Sequence, residues 1–256
     1  MGKIDVSGCI VTYNNMFTLP DTLKTIYKNT DNDTFKLYVV DNGSTDGTVE
    51  VIKKNYPQVE LIETGENVGF GKGHNRVLNL LDSKYHLIIN PDITIKDDVV
   101  ETIKKYFESH DDVGIISPKI CFPDGRIQVL GKKYPKLRYL VASRMRNEQN
   151  PGKLLREYAL LDTGLDKEMD IEVASGCFLA IRTDLLKQLG GFDERYFMYF
   201  EDIDLSRTVN TVSKVRYYPQ AVIYHEWGRE SKRNTKLKII HICSMMKYFL
   251  KWSFKR

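Results

Sequence analysis

Three acids, Glu201, Asp202 and Asp204, stand together directly after an aromatic patch of Phe192, Tyr196, Phe197, Tyr199 and Phe200. Leu205, Val209 and Val212 follow at helical spacing, so the acids are expected at a helix N-terminus. Capping and the helix dipole account for one or two such acids without any chemistry. They do not account for the aromatic surface, and a carboxylate kept against such surface is a common setting for a general base. Asn90-Pro91-Asp92 follows the apolar run Tyr85 to Ile89. It suits a hard divalent cation, because Mg²⁺ needs only one or two carboxylates plus substrate phosphates; a proline turn capping the next helix explains it equally. His225 ends an apolar run beside Glu226 and is either a structural histidine or a metal ligand. Gly69, Gly71 and Gly73 precede a helix, which suggests close backbone approach to a phosphate, with Lys72 and Arg76 near enough to meet a pyrophosphate. Their spacing is not G-x-G-x-x-G, and they follow the third strand rather than the first.

The elements that must position these residues alternate along the chain. Val6 to Thr12 is a near-continuous apolar run, as expected for a parallel strand buried on both faces. Further strands are predicted over Phe35 to Val40, Val59 to Ile62, Tyr85 to Ile89 and Val113 to Ile116, with a helical pattern between each pair. This is βαβαβαβαβ, an α/β fold with a mostly parallel central sheet and helices on both faces. Ligands in such sheets bind at the carboxyl ends of the strands. Thr12-Tyr13-Asn14, Asp41-Asn42 and Asn90-Pro91-Asp92 all fall there. Ile127 to about Glu168 is basic and weakly periodic, and is expected to be a surface excursion or mobile lid. Ile171 to Ile181 returns to a strand pattern, a helix is predicted from Thr183-Asp184 to Gly190-Gly191, and Val215 to Tyr218 and Val222 to His225 are predicted as two short strands around Pro219. A last helix begins near Thr235, with Lys247, Lys251 and Lys255 at every fourth residue. It either lies on a membrane surface with its lysines toward anionic headgroups or packs on the core with a solvated basic side.

At 256 residues, 42% hydrophobic and 28% charged, the chain is long enough for one large domain with a real core. No apolar run approaches the roughly 20 residues of a membrane span, and the first thirty residues do not read as a signal peptide. Cys9, Cys121, Cys177 and Cys243 are widely spaced, which is neither a disulfide framework nor a zinc site and fits a reducing cytoplasm. The net charge of +4 is uneven. Lys132 to Glu157 carries eight basic and two acidic residues, and His225 to Arg256 nine and two, leaving 21 basic and 30 acidic elsewhere. The basic segments suit phosphates or anionic lipid, while the acidic body argues against a nucleic-acid binder.

The segments CIVTYNN, VVDNGSTDGT, NVGFGKGHNR, NPD, GCFLAIRTDLLKQLGGFDE, YFEDIDLSR and HEWGRESKR occur in order. Together, over roughly Asp5 to Arg233, they resemble the inverting family 2 glycosyltransferases with the GT-A type fold, and among these the bacterial rhamnosyltransferases. The resemblance implies a glycosyltransferase domain over 1–235, with a nucleotide-binding half over about 1–116 and an acceptor half over about 117–235, followed by a basic helix over 236–256. It places Thr12, Tyr13, Asn14, Asp41, Gly69, Lys72, Arg76, Asn90 and Asp92 at the nucleotide-sugar, with Asp41 on a uracil or thymine imide. Asn90-Pro91-Asp92 matches the Asp-x-Asp metal motif with Asn in the first place, so Asp92, with His225, would hold Mg²⁺ or Mn²⁺. Asp202 matches the general base, Gly176 and Glu201 lie at the sugars, and Arg229 and Lys232 belong to a tail that closes on the diphosphate. The implied reaction is transfer of a sugar, foremost rhamnose from dTDP-rhamnose, to a glycan or lipid-linked glycan at the inner membrane face in polysaccharide assembly. A UDP-hexose donor, or a non-catalytic protein that binds sugar nucleotides, is the alternative. A sugar-1-phosphate nucleotidyltransferase or a Rossmann dehydrogenase would need glycines after the first strand, where Tyr13-Asn14-Asn15 has none.

Overall fold

The structure, a computed structural model, describes residues 4–145, 150–226 and 234–253. Its first half runs β1 (Val6–Thr12), α1 (Leu19–Asn29), β2 (Phe35–Asp41), α2 (Thr48–Asn55), β3 (Glu60–Glu63), α3 (Phe70–Asn75), β4 (Tyr85–Ile89), β5 (Ile93–Thr94), α4 (Val99–Ser109) and β6 (Val113–Cys121). It continues with α5 (Leu137–Arg144), α6 (Lys153–Ala159), β7 (Met169–Asp170), β8 (Phe178–Arg182), α7 (Thr183–Gln188), α8 (Glu201–Val209), β9 (Lys214–His225) and α9 (Thr235–Ser253).

The strands form one nine-stranded sheet in the order β3-β2-β1-β4-β8-β6-β9-β5, with β7 on β9. Strands β1 to β4 are parallel, as their apolar runs predict. Strand β8 instead inserts antiparallel between β4 and β6. Every residue of β1 is buried, because its side chains alternate between two cores. Val6 and Ile10 join Leu19, Leu23 and Ile103 from α1 and α4 on one face. Cys9 and Val11 join Val77, Leu186 and Leu205 on the other.

Three expectations are corrected. The pattern around Pro219 is one strand, β9, not two; its ladder with β6 skips from Tyr218 to Val222, so the proline sits in an irregularity where no ladder donor is needed. The excursion after Ile127 contains two helices and its own core of Val129, Tyr139, Leu155, Tyr158 and Ala159. Lys251 of α9 turns inward, whereas Lys247 stays exposed. Lys247 Nζ donates to Arg195 O at 2.6 Å, and Lys251 Nζ meets Asp193 Oδ2 at 2.8 Å and Asp204 Oδ2 at 2.6 Å. Lys255 lies outside the described residues.

Two histidines are buried in the second core. His86 Nδ1 bonds Ser7 Oγ at 2.8 Å, and neither ring nitrogen of His74 has a hydrogen-bond partner. Burial lowers the pKa of both, to about 3 for His86. Each therefore stays neutral in the fold but takes a proton in the unfolded chain below about pH 6.5. The unfolded state then binds more protons, so stability is full above pH 6.5 and falls below it by about 1.4 kcal/mol per histidine per pH unit. Denaturant melts at pH 7.5, 6 and 5 should show this slope, reduced in His86→Gln.

Candidate active site

The carboxyl ends of β1 and β2 meet in register at Thr12 and Asp41. Asp41 is 2% exposed, and its Oδ2 accepts Gly43 N at 3.0 Å and Ser44 N at 2.9 Å. Its Oδ1 is buried without a partner, which leaves an acceptor for an N–H of a ligand. The turn after β1 is stitched to the turn after β2. Asn14, in the left-handed region at φ 56°, receives Thr45 N on Oδ1 and donates its own N–H to Ser44 Oγ, both at 2.8 Å. Thr12 is buried and donates to Asn15 Oδ1, whereas Tyr13 is half exposed. Polar groups therefore converge at this sheet edge, with Tyr13 exposed beside them.

Strand pairing brings Asp92 to His225. Ile93 of β5 stands opposite His225 of β9, and Glu226 N bonds Asp92 O. His225 Nε2 lies 3.3 Å from Asp92 Oδ2. Gln128 orients the ring: its Nε2 donates to His225 O at 2.7 Å, which turns its Oε1 toward Nδ1 at 3.1 Å. Nδ1 must then carry a hydrogen, which leaves Nε2 as the nitrogen turned toward the aspartate. Burial works against charge on His225, but Cys177 and Asp92 beside it raise its pKa above the ordinary value. Asp92 Oδ1 is buried without a partner. One carboxylate and one oriented imidazole fit a divalent cation whose other ligands are phosphates and water. Among the described residues no third His, Cys, Asp or Glu completes a protein-only cage. Asn90 donates its backbone N–H to Cys177 O at 2.8 Å.

Asp202 sits in the first turn of α8, partly buried. Its Oδ2 accepts Gly176 N and its Oδ1 accepts Ile203 N, both at 2.8 Å. Burial raises its pKa, against those two hydrogen bonds. Gly176 is needed for fit, since a Cβ there would stand 3.0 Å from Asp202 Cβ. Glu201 is buried, its Oε2 has no partner, and burial together with the Asp202 charge holds its pKa well above the carboxylate range. Neighbouring acids thus differ in state, a neutral Glu201 beside an ionisable Asp202.

The sequence description of Glycosyl transferase family 2 matches residues 7–190. The chain belongs to this family. It is 28% identical over 214 residues to the N-acetylglucosaminyl-diphospho-decaprenol L-rhamnosyltransferase of Mycobacterium tuberculosis, covering 77% of this chain and 68% of that one. It is 27% identical over 233 residues to rhamnosyltransferase WbbL of Escherichia coli K12, covering 86% and 84%. The fold is similar to the mannosyltransferase PcManGT from Pyrobaculum calidifontis, solved with GDP-Man and Mn²⁺, at TM-score 0.61 and 20% identity. That likeness covers 88% of this chain and 57% of the other.

Two readings of residue types change in this glycosyltransferase. Gly69 caps α3 while Gly71 and Gly73 lie inside it rather than before it, and all three meet protein rather than leave room for a phosphate. A Cβ on Gly69, whose φ is +90°, would fall 2.2 Å from Phe197 O; on Gly71, 2.9 Å from Phe192 Cβ; on Gly73, 2.8 Å from Val11 Cγ1. Gly69 still borders the site, because Asn42 Nδ2 donates to its carbonyl at 3.1 Å. Gly69→Ala should therefore cost about 2 kcal/mol or more in a urea melt, from positive φ and a displaced loop. The aromatic patch is structural as well. Phe192 packs edge-on to Phe70, while Tyr196 and Phe200 are buried against Tyr248 of α9, so none of the three offers a face to a sugar. Lys72 is half-buried and Arg76 exposed, each without an ion pair among the described residues. Arg229 and Lys232 lie outside the described residues. Gln128, which orients His225, gives no sequence signal beyond the Asp124-Gly125 turn before it.

Proposed function

We propose that this glycosyltransferase moves a sugar from a nucleotide diphosphosugar to a hydroxyl with inversion, Asp202 serving as general base. The observation that carries the reading is the Asp202 carboxylate, fixed by two backbone N–H groups yet raised in pKa by burial. Each oxygen keeps a second lone pair for a proton. In one displacement, Asp202 takes the acceptor hydroxyl proton and the acceptor oxygen bonds the anomeric carbon. The bond from that carbon to the diphosphate breaks, and its electron pair leaves with the diphosphate. Asp92 and His225 would hold Mg²⁺ or Mn²⁺, which supplies positive charge to the leaving group. Asp41 Oδ1 would accept the imide N–H of uracil or thymine, and Thr12, Tyr13, Asn14, Gly69 and Asn90 border the same edge. Lys72 and Arg76 supply cationic charge near α3, and Gly176 and Glu201 flank the sugars beside Asp202.

The relatives named as rhamnosyltransferases favour dTDP-rhamnose as donor and a lipid-linked glycan as acceptor, in polysaccharide assembly. Membrane contact would run through apolar residues instead of lysines. Ile239, Ile242, Met246 and Leu250 form one exposed stripe along α9, and Leu137, Val141 and Met145 are exposed on and beside α5. Both helices lie in the basic segments, which suits anionic lipid. Among the described residues no helix is long and apolar enough to cross a membrane.

The deciding experiment is a thermal-shift panel of UDP, dTDP, GDP and NAD, each with and without Mn²⁺. A metal-enhanced shift with dTDP or UDP is expected, and Asp41→Ala should weaken that nucleotide about tenfold through loss of one buried hydrogen bond. A shift with NAD alone, or with none of the four, would defeat the reading.

A further inference from the structure

Lys132 is a buried cation with no counter-charge among the described residues. It is 6% exposed, and among the described residues no carboxylate lies within ion-pair distance. Its ammonium stands 4.6 Å from the centre of the Tyr217 ring. Other shielded cations of the chain are satisfied. Lys251 bridges two aspartates, Arg216 meets Glu168 and Asp170, and Arg182 donates to three backbone carbonyls. A buried ammonium with only a ring face beside it and no anion is costly, and burial lowers its pKa to about 8. A methionine would keep the packing of the stem without that cost.

The position is fixed by the fold. Lys132 N donates to Tyr158 O at 3.0 Å, and its carbonyl accepts Glu172 N at 2.8 Å and Val173 N at 3.1 Å. Those contacts lead into the segment that joins the two halves of the site. Gly176 N bonds Asp202, Cys177 O receives Asn90 N, and Cys177 interacts electrostatically with both Lys132 and His225. Tyr158, whose backbone anchors Lys132, interacts electrostatically with Asp202. These backbone bonds set Lys132 beside the segment that runs through Val173 to Gly176, bonded to Asp202, and Cys177, bonded to Asn90.

We propose that Lys132 binds a phosphate-ester anion at the active site, foremost the diphosphate of the donor. The assignment rests on the transfer reading above. The ligand brings the counter-charge that the described residues lack, so the empty protein carries a cost that substrate relieves. The same chemistry could come from a phosphate on a lipid-linked acceptor, and the test separates the two sources.

The full chain is compared with Lys132→Met and Lys132→Arg by calorimetric titration and by melting without ligand. The probes are UDP, dTDP, their nucleosides and inorganic pyrophosphate. Lys132→Met should melt at or above the parent, bind the preferred nucleoside diphosphate about tenfold more weakly and bind the nucleoside unchanged, while Lys132→Arg stays within about threefold. Unchanged diphosphate affinity with an acceptor KM raised about tenfold would support the anion site and assign it to the acceptor's phosphate. Unchanged affinity for diphosphate and pyrophosphate together with unchanged acceptor KM would overturn the proposal, whatever the melting temperature. If the parent binds no nucleotide, the transfer reading fails; the Lys132 assignment then stands or falls on whether pyrophosphate binding is lost in Lys132→Met.

Discussion

Asp202→Asn should lower turnover by about 10²–10⁴ while leaving donor affinity within about threefold, the signature of a lost general base. The amide is close in shape to the carboxylate, and its single oxygen can still accept Gly176 N or Ile203 N, so the geometry changes little. What it cannot do is take a proton from the acceptor hydroxyl. The neighbouring acid provides the control. Glu201 is buried and held neutral, so Glu201→Gln imitates the state already present and should keep more than about a third of the turnover. Activity of Asp202→Asn above about a tenth of the parent would rule out the base role. Equal loss in both variants would mean that the pair shapes the helix start and does no proton transfer. Rapid-quench turnover with the preferred donor, alongside calorimetric donor affinity, separates these outcomes.

Asp202, the proposed base, is legible in the sequence as a candidate because three acids exceed what a helix start requires, and it lies in the first turn of α8. Its surroundings were legible only in part. Residues buried on both faces leave an unbroken apolar run, so β1 and β4 match their predicted bounds. Strand direction leaves no such trace. The antiparallel insertion of β8 is decided by its neighbours β4 and β6, whose paired residues lie 64 to 97 positions earlier in the chain. The glycines at the start of and within α3 are required, but by Phe197, Phe192 and Val11 pressing against them, which residue type alone does not distinguish from a ligand. The aromatic residues before Asp202 read as a surface set against a catalytic carboxylate for the same reason, whereas Phe192, Tyr196 and Phe200 are packed into the fold. Lysines at every fourth position of α9 read as a solvated or lipid-facing side because their acids, Asp193 and Asp204, lie 58 and 47 residues away from Lys251.

That misread lysine sets the largest expected effect on stability. Lys251 is 14% exposed at the side chain and Asp204 4%, and the pair stands two residues beyond Asp202 on α8. Trp252 Nε1 also donates to Asp204 Oδ1 at 2.8 Å. The same helix grips the loop before the base. Ser244 Oγ donates to Met198 O at 2.8 Å, and the Phe200 ring packs 5.5 Å from Tyr248 and 5.3 Å from His241. The grip has something to hold, since Tyr199 and Phe200 are both left-handed, at φ 68° and 70°. Two such residues cost about 1–3 kcal/mol each and persist only where surrounding contacts enforce them. Helix α9 is therefore a clamp on the segment that presents Asp202. Lys251→Met leaves Asp193 and Asp204 without their shared cation and should cost about 3–5 kcal/mol in a urea melt. At a temperature where the variant stays folded, kcat should fall while nucleotide affinity holds, because Asp41 belongs to the opposite half of the sheet. Adding Asp204→Asn to Lys251→Met removes the stranded charge and should restore much of the stability. A loss under about 1 kcal/mol for Lys251→Met would show the pair to be as weak as a surface ion pair, and the clamp would then rest on Ser244 and the aromatic contacts alone.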